Sequence, residues 1–114
     1  MPLQVGTWTM NVGGGVTQLQ ITNVDPQGDV TASIGTTGFI AIWDEDSQKL
    51  TLSRNGQLFV GYLFTDTVNL TGVKGSIFFT LAGSVESFLS DFRQIGQPTA
   101  KRSILGWYAQ IGVD

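Results

Sequence analysis

Hydrophobic and polar residues alternate at the start of the chain. From Leu3 to Val12 every second residue shares a face, with Trp8 and Met10 on the same side, and this is the period of a β-strand. Three consecutive glycines, Gly13-Gly14-Gly15, end the run, because glycine readily adopts the left-handed backbone of a tight turn. The pattern predicts a first strand followed by a hairpin, with Trp8 and Met10 facing inward.

Short apolar runs and turn motifs continue this rhythm through most of the chain. The Asn55-Gly56 pair suits a two-residue hairpin turn, and Ser103 to Val113 is the predicted last strand. Further turns are predicted at Asp25-Pro26-Gln27-Gly28, Thr36-Thr37-Gly38 and Asp44-Glu45-Asp46-Ser47. Strands spaced by about 8 to 12 residues predict a meander, which hides its edges by closing on itself. The predicted fold class is therefore all-β, an antiparallel up-and-down eight-stranded β-barrel.

One segment departs from the period of two. Its apolar residues recur at the i, i+3, i+4 and i+7 positions of a helical face, and they are Val85, Phe88, Leu89 and Phe92. Ser84 precedes them as a cap, and Gly96 follows them as an end signal. We therefore expect one short helix from Val85 to Gln94, before the last strand, which covers a barrel mouth or packs on the barrel wall.

The composition fits a single β-rich domain over residues 1–114. Charged residues make up 13% of the chain, hydrophobic residues 41%, and there are 15 glycines, as in a globular protein with many tight turns. The chain has no histidine and no cysteine, the residue types that carry most nucleophilic, general-base and transition-metal chemistry. We therefore expect no enzyme activity and no cofactor.

Two groups of charged side chains are candidates for chemistry. Asp44-Glu45-Asp46 offers clustered oxygens to a calcium ion, but the glycine and the later glutamate of an EF-hand loop are missing. Glu86, Asp91 and Arg93 lie opposite the apolar stripe of the predicted helix, where solvent is expected. We interpret the first group as a charged turn and the second as a solvated helix face, so no catalytic residue and no metal site is predicted.

Charge and hydropathy limit the partners and the compartment. The net charge is −3 and the six basic residues are scattered, so the chain lacks the positive patch that binds nucleic acid. No stretch reaches the ~18 to 20 apolar residues of a membrane-spanning helix, and the chain does not open with a signal-peptide pattern. We expect no nucleic-acid partner and no membrane partner, and we assign the cytoplasm by default.

The Gly6-Thr7-Trp8 motif on the first strand of a meander resembles the calycin superfamily, which includes avidin-like and lipocalin-like barrels. The turn from Asp25 to Gly28 and the strand that follows it look like the opening of an avidin. Asn11, however, is one position late for the avidin pattern, and Ile34 stands where a tyrosine is expected. The resemblance therefore implies the barrel without the residues that bind biotin.

A second part of the resemblance concerns lipocalins. Arg102 at the start of the last strand looks like the lipocalin arginine that stacks on the tryptophan of the first strand. The resemblance implies that Arg102 contacts Trp8 through a cation–π interaction and closes one end of the barrel. Such a contact would be structural.

Two functions fit such a barrel. A hollow barrel would bind a small apolar or aromatic ligand, whereas a barrel filled with side chains would serve as an oligomeric structural or interaction module. Asn11, Gln18 and Tyr62 could supply polar anchors for a ligand. The predicted ligand-binding residues are Trp8, Met10, Asn11, Trp43, Tyr62, Phe64 and Trp107.

The second function draws support from strands that are apolar on both faces. These strands are Phe39 to Trp43, Leu58 to Phe64 and Ile104 to Ile111. Since water covers the outer face of a lone barrel, such strands indicate that a helix or another subunit covers part of the outside. We expect a homo-oligomer, with a dimer as the default on symmetry grounds.

Overall fold

The computed structural model describes residues 2–54, 56–68, 76–88 and 102–113. These residues form eight β-strands: β1 (Gly6–Val12), β2 (Gly15–Val24), β3 (Asp29–Ile34), β4 (Thr37–Asp44), β5 (Lys49–Arg54), β6 (Gln57–Val68), β7 (Ser76–Phe88) and β8 (Arg102–Val113). Each strand pairs antiparallel with the next, and β8 pairs antiparallel with β1, so the sheet closes into a barrel. The predicted all-β, eight-stranded antiparallel barrel is confirmed.

The turn between β2 and β3 shows how the short connections are held. The Asp25 carboxylate accepts hydrogen bonds from the backbone N–H groups of Gln27 and Asp29, at 2.8 and 3.0 Å. Gly28 has φ +94°, and a Cβ atom there would lie 2.5 Å from the carbonyl oxygen of Trp43. Only glycine therefore lets this turn approach β4, where the Trp43 N–H donates to the Gly28 carbonyl.

Side chains occupy the barrel interior. The largest ones that are fully buried are Trp8, Met10, Leu19, Ile21, Leu50, Leu52 and Leu81. Phe59 makes edge-to-face contacts with Phe39 and Trp107, and its ring centroid lies 5.6 and 5.9 Å from theirs. The Trp107 indole lies over Gly61, where an added Cβ atom would overlap the ring. Large side chains thus fill the core, and the Trp107 ring fits because residue 61 is glycine.

The helix predicted from Val85 to Gln94 is not formed over its first four residues. Val85–Phe88 belong to β7, in which Val85 pairs with Phe59 and Leu105 and is 2% exposed. The spacing misleads because residues four apart, such as Leu81 and Val85, share a face in a strand as well as in a helix. Residues 89–94 lie outside the described part of the chain. No described helix has the length and hydrophobicity to cross a bilayer.

The strand register also separates Trp8 from Arg102. Thr9 pairs with Gln110, whereas Arg102 begins β8 at the other end of the strand. The eight residues between Arg102 and Gln110 span about 26 Å at about 3.3 Å per residue. That distance exceeds the reach of a side chain, so the stack implied by the lipocalin resemblance is wrong for this chain. The Trp8 indole instead donates to the carbonyl of Gln4, at 3.1 Å.

Candidate functional site

The residues predicted to bind a ligand do not come together in one place. Trp8, Met10 and Trp107 point into the core and are 0%, 0% and 3% exposed. Asn11 is half-buried at the β1–β2 turn, where its side-chain oxygen accepts the N–H of Gly14. Tyr62 and Phe64 lie on the outer face of β6, 45% and 56% exposed, so they do not line the interior.

Polar groups in the core already have partners. The Trp107 indole N–H donates to the carbonyl of Ser84 at 3.0 Å, as that of Trp8 does to Gln4. Among the described residues, no buried side-chain nitrogen or oxygen lacks a hydrogen bond. Gln18, a predicted anchor, is exposed on the outside and pairs with Thr9. The surfaces left for a binding site in the described residues are therefore the outside of the barrel and its mouth.

The outside of the barrel has two different halves. The half formed by β1 to β3, called the polar wall, exposes Thr7, Thr9, Gln18, Gln20, Thr22 and Thr31. Its apolar exception is Val16, which is 73% exposed at the start of β2. The half formed by β4 to β8, called the apolar wall, exposes Ile40, Ile42, Tyr62, Phe64, Ile104 and Tyr108. Ile40 is 72% exposed, more than the other five. The sequence of β4, β6 and β8 is apolar on both faces, so it does not indicate which face is outside.

The strand register makes the apolar wall continuous. Tyr62 pairs with Ala82, and Ala82 pairs with Tyr108, so the small alanine lies between two large rings. Neighbouring strands are about 4.8 Å apart, which places the two tyrosine backbones roughly 10 Å from each other. Small side chains fill the outer positions between the large ones, and these are Thr51, Ser53, Thr80, Ala82 and Ser84. The result is a shallow surface with raised aromatic edges.

Charged side chains share two of the cross-strand rows of this wall in its described part. Lys49 pairs with Asp44 and with Tyr62. Glu86 pairs with Leu58 and with Ile104. The row between these two is uncharged, as the core of a protein interface is, and it contains Ile42, Thr51, Val60 and Ser84.

A second candidate is a cleft of about 580 Å³ at the barrel mouth where β1 begins. We call it the mouth cleft. It is lined by Pro2, Leu3, Val5, Val24, Asp25, Pro26, Gln27, Gly28, Trp43, Asp44, Glu45 and Asp46. Three separate pieces of chain thus meet there: the segment before β1, the β2–β3 turn and the β4–β5 turn. Of the residues predicted to bind a ligand, Trp43 is the one that lines it.

The β4–β5 turn holds its carboxylates with hydrogen bonds. The Asp44 carboxylate accepts the Ser47 hydroxyl at 2.9 Å and the Asp46 N–H at 3.1 Å. These bonds, the hydroxyl first, hold the pKa of Asp44 below its ordinary value of 3.8. Glu45 accepts the Trp43 indole N–H at 3.0 Å. Asp44-Glu45-Asp46 is therefore a tightly bonded turn, and no group of three His, Cys, Asp or Glu side chains in the described residues is arranged to hold a metal ion.

The Asp44 bonds predict a measurable pH effect. Because the folded pKa is lower than the unfolded one, Asp44 stabilises the fold above its unfolded pKa, and this stabilisation is lost as the pH falls through the folded pKa. Ser47→Ala removes the largest cause, so a carbon-detected carboxyl titration should show the Asp44 pKa rising toward 3.8. Ser53→Ala, on β5, should leave it unchanged. An unchanged Asp44 pKa in Ser47→Ala would refute this account of the turn.

Known proteins offer no direct guide to these surfaces. The closed eight-stranded antiparallel barrel is consistent with the general calycin architecture that the first strand resembles. No protein-family model, no curated protein and no solved structure matches the chain.

Proposed function

We propose that this chain is a non-enzymatic, calycin-like barrel that works as a self-associating interaction module, with the apolar wall as its contact surface. The observation that carries the proposal is the contrast between the two halves of the outside. Threonine and glutamine cover most of β1 to β3, where Val16 is an exposed apolar exception, whereas isoleucine, tyrosine and phenylalanine are exposed on β4, β6 and β8. Solubility alone would not produce such a division, because a lone barrel has water on every side.

The size of the apolar wall fits a dimer contact. Tyr62, Phe64 and Tyr108 are each about half exposed, which leaves roughly 100 Å² open on each ring, since an aromatic side chain buries about 150–250 Å². Three exposed isoleucines bring the apolar area of the whole wall to roughly 600 Å², at the upper end of what monomeric proteins expose. This area is spread over five of the eight strands, because β4 and β8 lie on opposite sides of the closed barrel. A stable interface buries about 800 Å² per partner, of which about 60% is apolar. The part of the wall around β6 can therefore supply the apolar centre of one side of such an interface.

A second copy of the chain is the partner that suits this surface. A contact around a two-fold axis joins the same patch on both subunits, so the patch must be compatible with itself. A two-fold axis at the uncharged row of Ile42, Thr51 and Val60 meets that condition, because two like charges do not face each other across the axis. The raised rings of Tyr62 and Tyr108 can lie beside the small residues of β7 in the other copy.

The alternative function is a small apolar ligand inside the barrel. Its main support is the general architecture, because small barrels of this type either enclose a ligand or fill with side chains. The interior residues are packed to 0% exposure at Trp8, Met10 and Leu19, which favours the filled form. We therefore place the interaction module first.

The experiment is a measurement of solution mass by sedimentation or light scattering between about 5 and 100 μM. The unmodified chain should have the mass of a dimer within this range. Phe64→Glu or Ile42→Glu places a charge in the buried contact and should weaken association by at least about 30-fold, as at an interface hot spot. The matched control, Gln20→Glu on the polar wall, should associate normally.

Two outcomes would contradict the proposal. One is a chain that stays monomeric at 100 μM. The other is equal weakening by Phe64→Glu and Gln20→Glu, because net charge and not the apolar wall would then control association. Circular dichroism on each variant verifies that the barrel has folded.

A further inference from the structure

Two opposite charges flank β6 on the apolar wall. Lys49 of β5 pairs with Tyr62 of β6, and Glu86 of β7 pairs with Leu58 of β6. Val60 lies midway between Tyr62 and Leu58 in the uncharged row. The lysine and the glutamate are therefore placed symmetrically about Val60, one on each neighbouring strand.

Both charged side chains belong to the outer face of the barrel. Leu50 and Val85, their neighbours in sequence, are 0% and 2% exposed and point into the core. Since successive side chains of a strand point to opposite faces, Lys49 and Glu86 point outward. Each of them is half-buried by the side chains around it. The two charges are thus held close to the wall and accessible to a molecule that lies on it.

The two charges are too far apart to pair within one chain. Neighbouring strands are about 4.8 Å apart and each residue advances about 3.3 Å, so two strands and four residues separate the backbones of Lys49 and Glu86 by roughly 16 Å. That separation exceeds the combined reach of the two side chains, and the curvature of the barrel turns them further from each other. An ion pair between these residues therefore requires two copies of the chain.

We infer that Lys49 of one copy pairs with Glu86 of the other, and Glu86 of the first with Lys49 of the second, an inference that rests on the proposed self-association through the apolar wall. A two-fold axis that passes through Val60 in the plane of the contact, perpendicular to the line from Lys49 to Glu86, exchanges the two positions. The same ion pair then forms twice. These pairs fix how the two copies are oriented, which apolar area alone does not.

The same axis brings compatible uncharged residues together. With the strand spacings given above, Tyr62 falls beside Ser84 of the other copy, and Phe64 falls beside Ile104, each within roughly 4 Å in projection on the contact plane. A large ring thus meets a small residue of β7, and an aromatic ring meets an exposed isoleucine. The orientation that joins the charges therefore also packs the apolar wall.

Contacts within each chain leave both charges able to take a second partner. Lys49 lies across from Asp44 of β4, and Glu86 has an interaction within its own chain. A carboxylate has about four acceptor positions and a lysine ammonium has several donors, so one neighbour does not use up either group.

Charge reversal tests the pairs, and mixing two variants distinguishes contacts between chains from contacts within one. Lys49→Glu makes two carboxylates face each other twice in each dimer, and Glu86→Lys does the same with two lysines. Each variant alone should therefore associate about 10- to 30-fold more weakly than the unmodified chain. An equimolar mixture should form a heterodimer within about 3-fold of the unmodified affinity, because both pairs are complementary again. Sedimentation measures the affinity, and native mass spectrometry with one variant labelled with ¹⁵N identifies the heterodimer.

A charge-matched variant with lysines elsewhere is the control. Gln18→Lys with Thr22→Lys places two lysines on β2, which lies across the closed barrel from β6. This double variant and Glu86→Lys both have a net charge of −1, because each adds two positive units to the chain's −3. The double variant should associate normally by itself. Mixed with Lys49→Glu it keeps one repulsive pair, so this heterodimer should be about 3- to 5-fold weaker than the one formed with Glu86→Lys.

The outcomes separate this inference from the proposed function. If Phe64→Glu weakens association but the mixture of Lys49→Glu and Glu86→Lys associates no better than its two components, the apolar wall remains the contact and the reciprocal ion pairs are wrong. Equal rescue by the double variant on β2 would also overturn the inference, because net charge would then explain it. A chain that stays monomeric at about 100 μM would overturn both. Circular dichroism verifies that every variant has folded.

Discussion

Gly83→Ala should destabilise the barrel by about 3 kcal/mol, as severe overpacking does. Gly83 on β7 pairs with Gly61 on β6. A Cβ atom at position 83 would overlap the backbone carbonyl of Val60 and lie 2.8 Å from the Cα atom of Gly61. Backbone atoms cannot rotate away as a flexible side chain can, so the two strands would have to separate. In a domain of this size, 3 kcal/mol corresponds to a melting temperature lower by roughly 10 °C.

A matched control lies on the next strand. Gly106 on β8 pairs with Ser84, and a Cβ atom there would meet nothing within 4 Å. Gly106→Ala should therefore change the free energy of unfolding by less than about 1 kcal/mol, with a small gain from the stiffer unfolded chain. Urea unfolding followed by tryptophan fluorescence measures both variants. Equal stability of the two would show that β6 and β7 are not as close at Gly83 as described.

The strands could be predicted from sequence because their residues alternate and their turns use distinctive residue types. Trp8 and Met10 are two apart on a run that ends in glycines, and both are buried as expected. β5 ends at Arg54 and β6 begins at Gln57, and these two residues pair as the predicted hairpin requires. Local rules were sufficient here, because a strand that is polar on one face can bury only the other.

The inward face of β6 could not be predicted in the same way. Leu58 to Phe64 has apolar residues on both faces of the strand. Alternation therefore does not tell whether Tyr62 and Phe64, or Phe59 and Leu63, point into the barrel. The deciding feature is Gly61, which faces the Trp107 ring and has no room for a side chain. That contact joins residues far apart in sequence, and a single sequence does not reveal it.

The mouth cleft was also beyond the reach of sequence patterns. Its parts come from the segment before β1 and from two turns, and only closure of the barrel brings Leu3, Val24 and Trp43 together. The acidic run Asp44-Glu45-Asp46 was correctly interpreted as a turn, since its carboxylates bond within it. The apolar floor beside that turn gave no local signal.

Trp8→Ala should reduce the free energy of unfolding by about 4 kcal/mol, because it leaves a large void in a packed core. Trp8 is 0% exposed and lies among other fully buried side chains. Trp8→Phe keeps one ring, so it leaves a smaller void and loses the bond from the indole N–H to Gln4, and it should cost less than half as much. If Trp8→Ala does not fold, Met10→Ala provides a smaller void at a cost of about 3 kcal/mol.

The same variants distinguish a filled barrel from a hollow one. An apolar void in a protein stays dry and can take up benzene, so benzene should raise the melting temperature of Trp8→Ala by several degrees. The unmodified chain should not respond, because Trp8, Leu19 and Leu81 already occupy the space. A benzene-dependent rise in the melting temperature of the unmodified chain would instead reveal room inside the barrel. The ligand-binding function would then take precedence over self-association through the apolar wall.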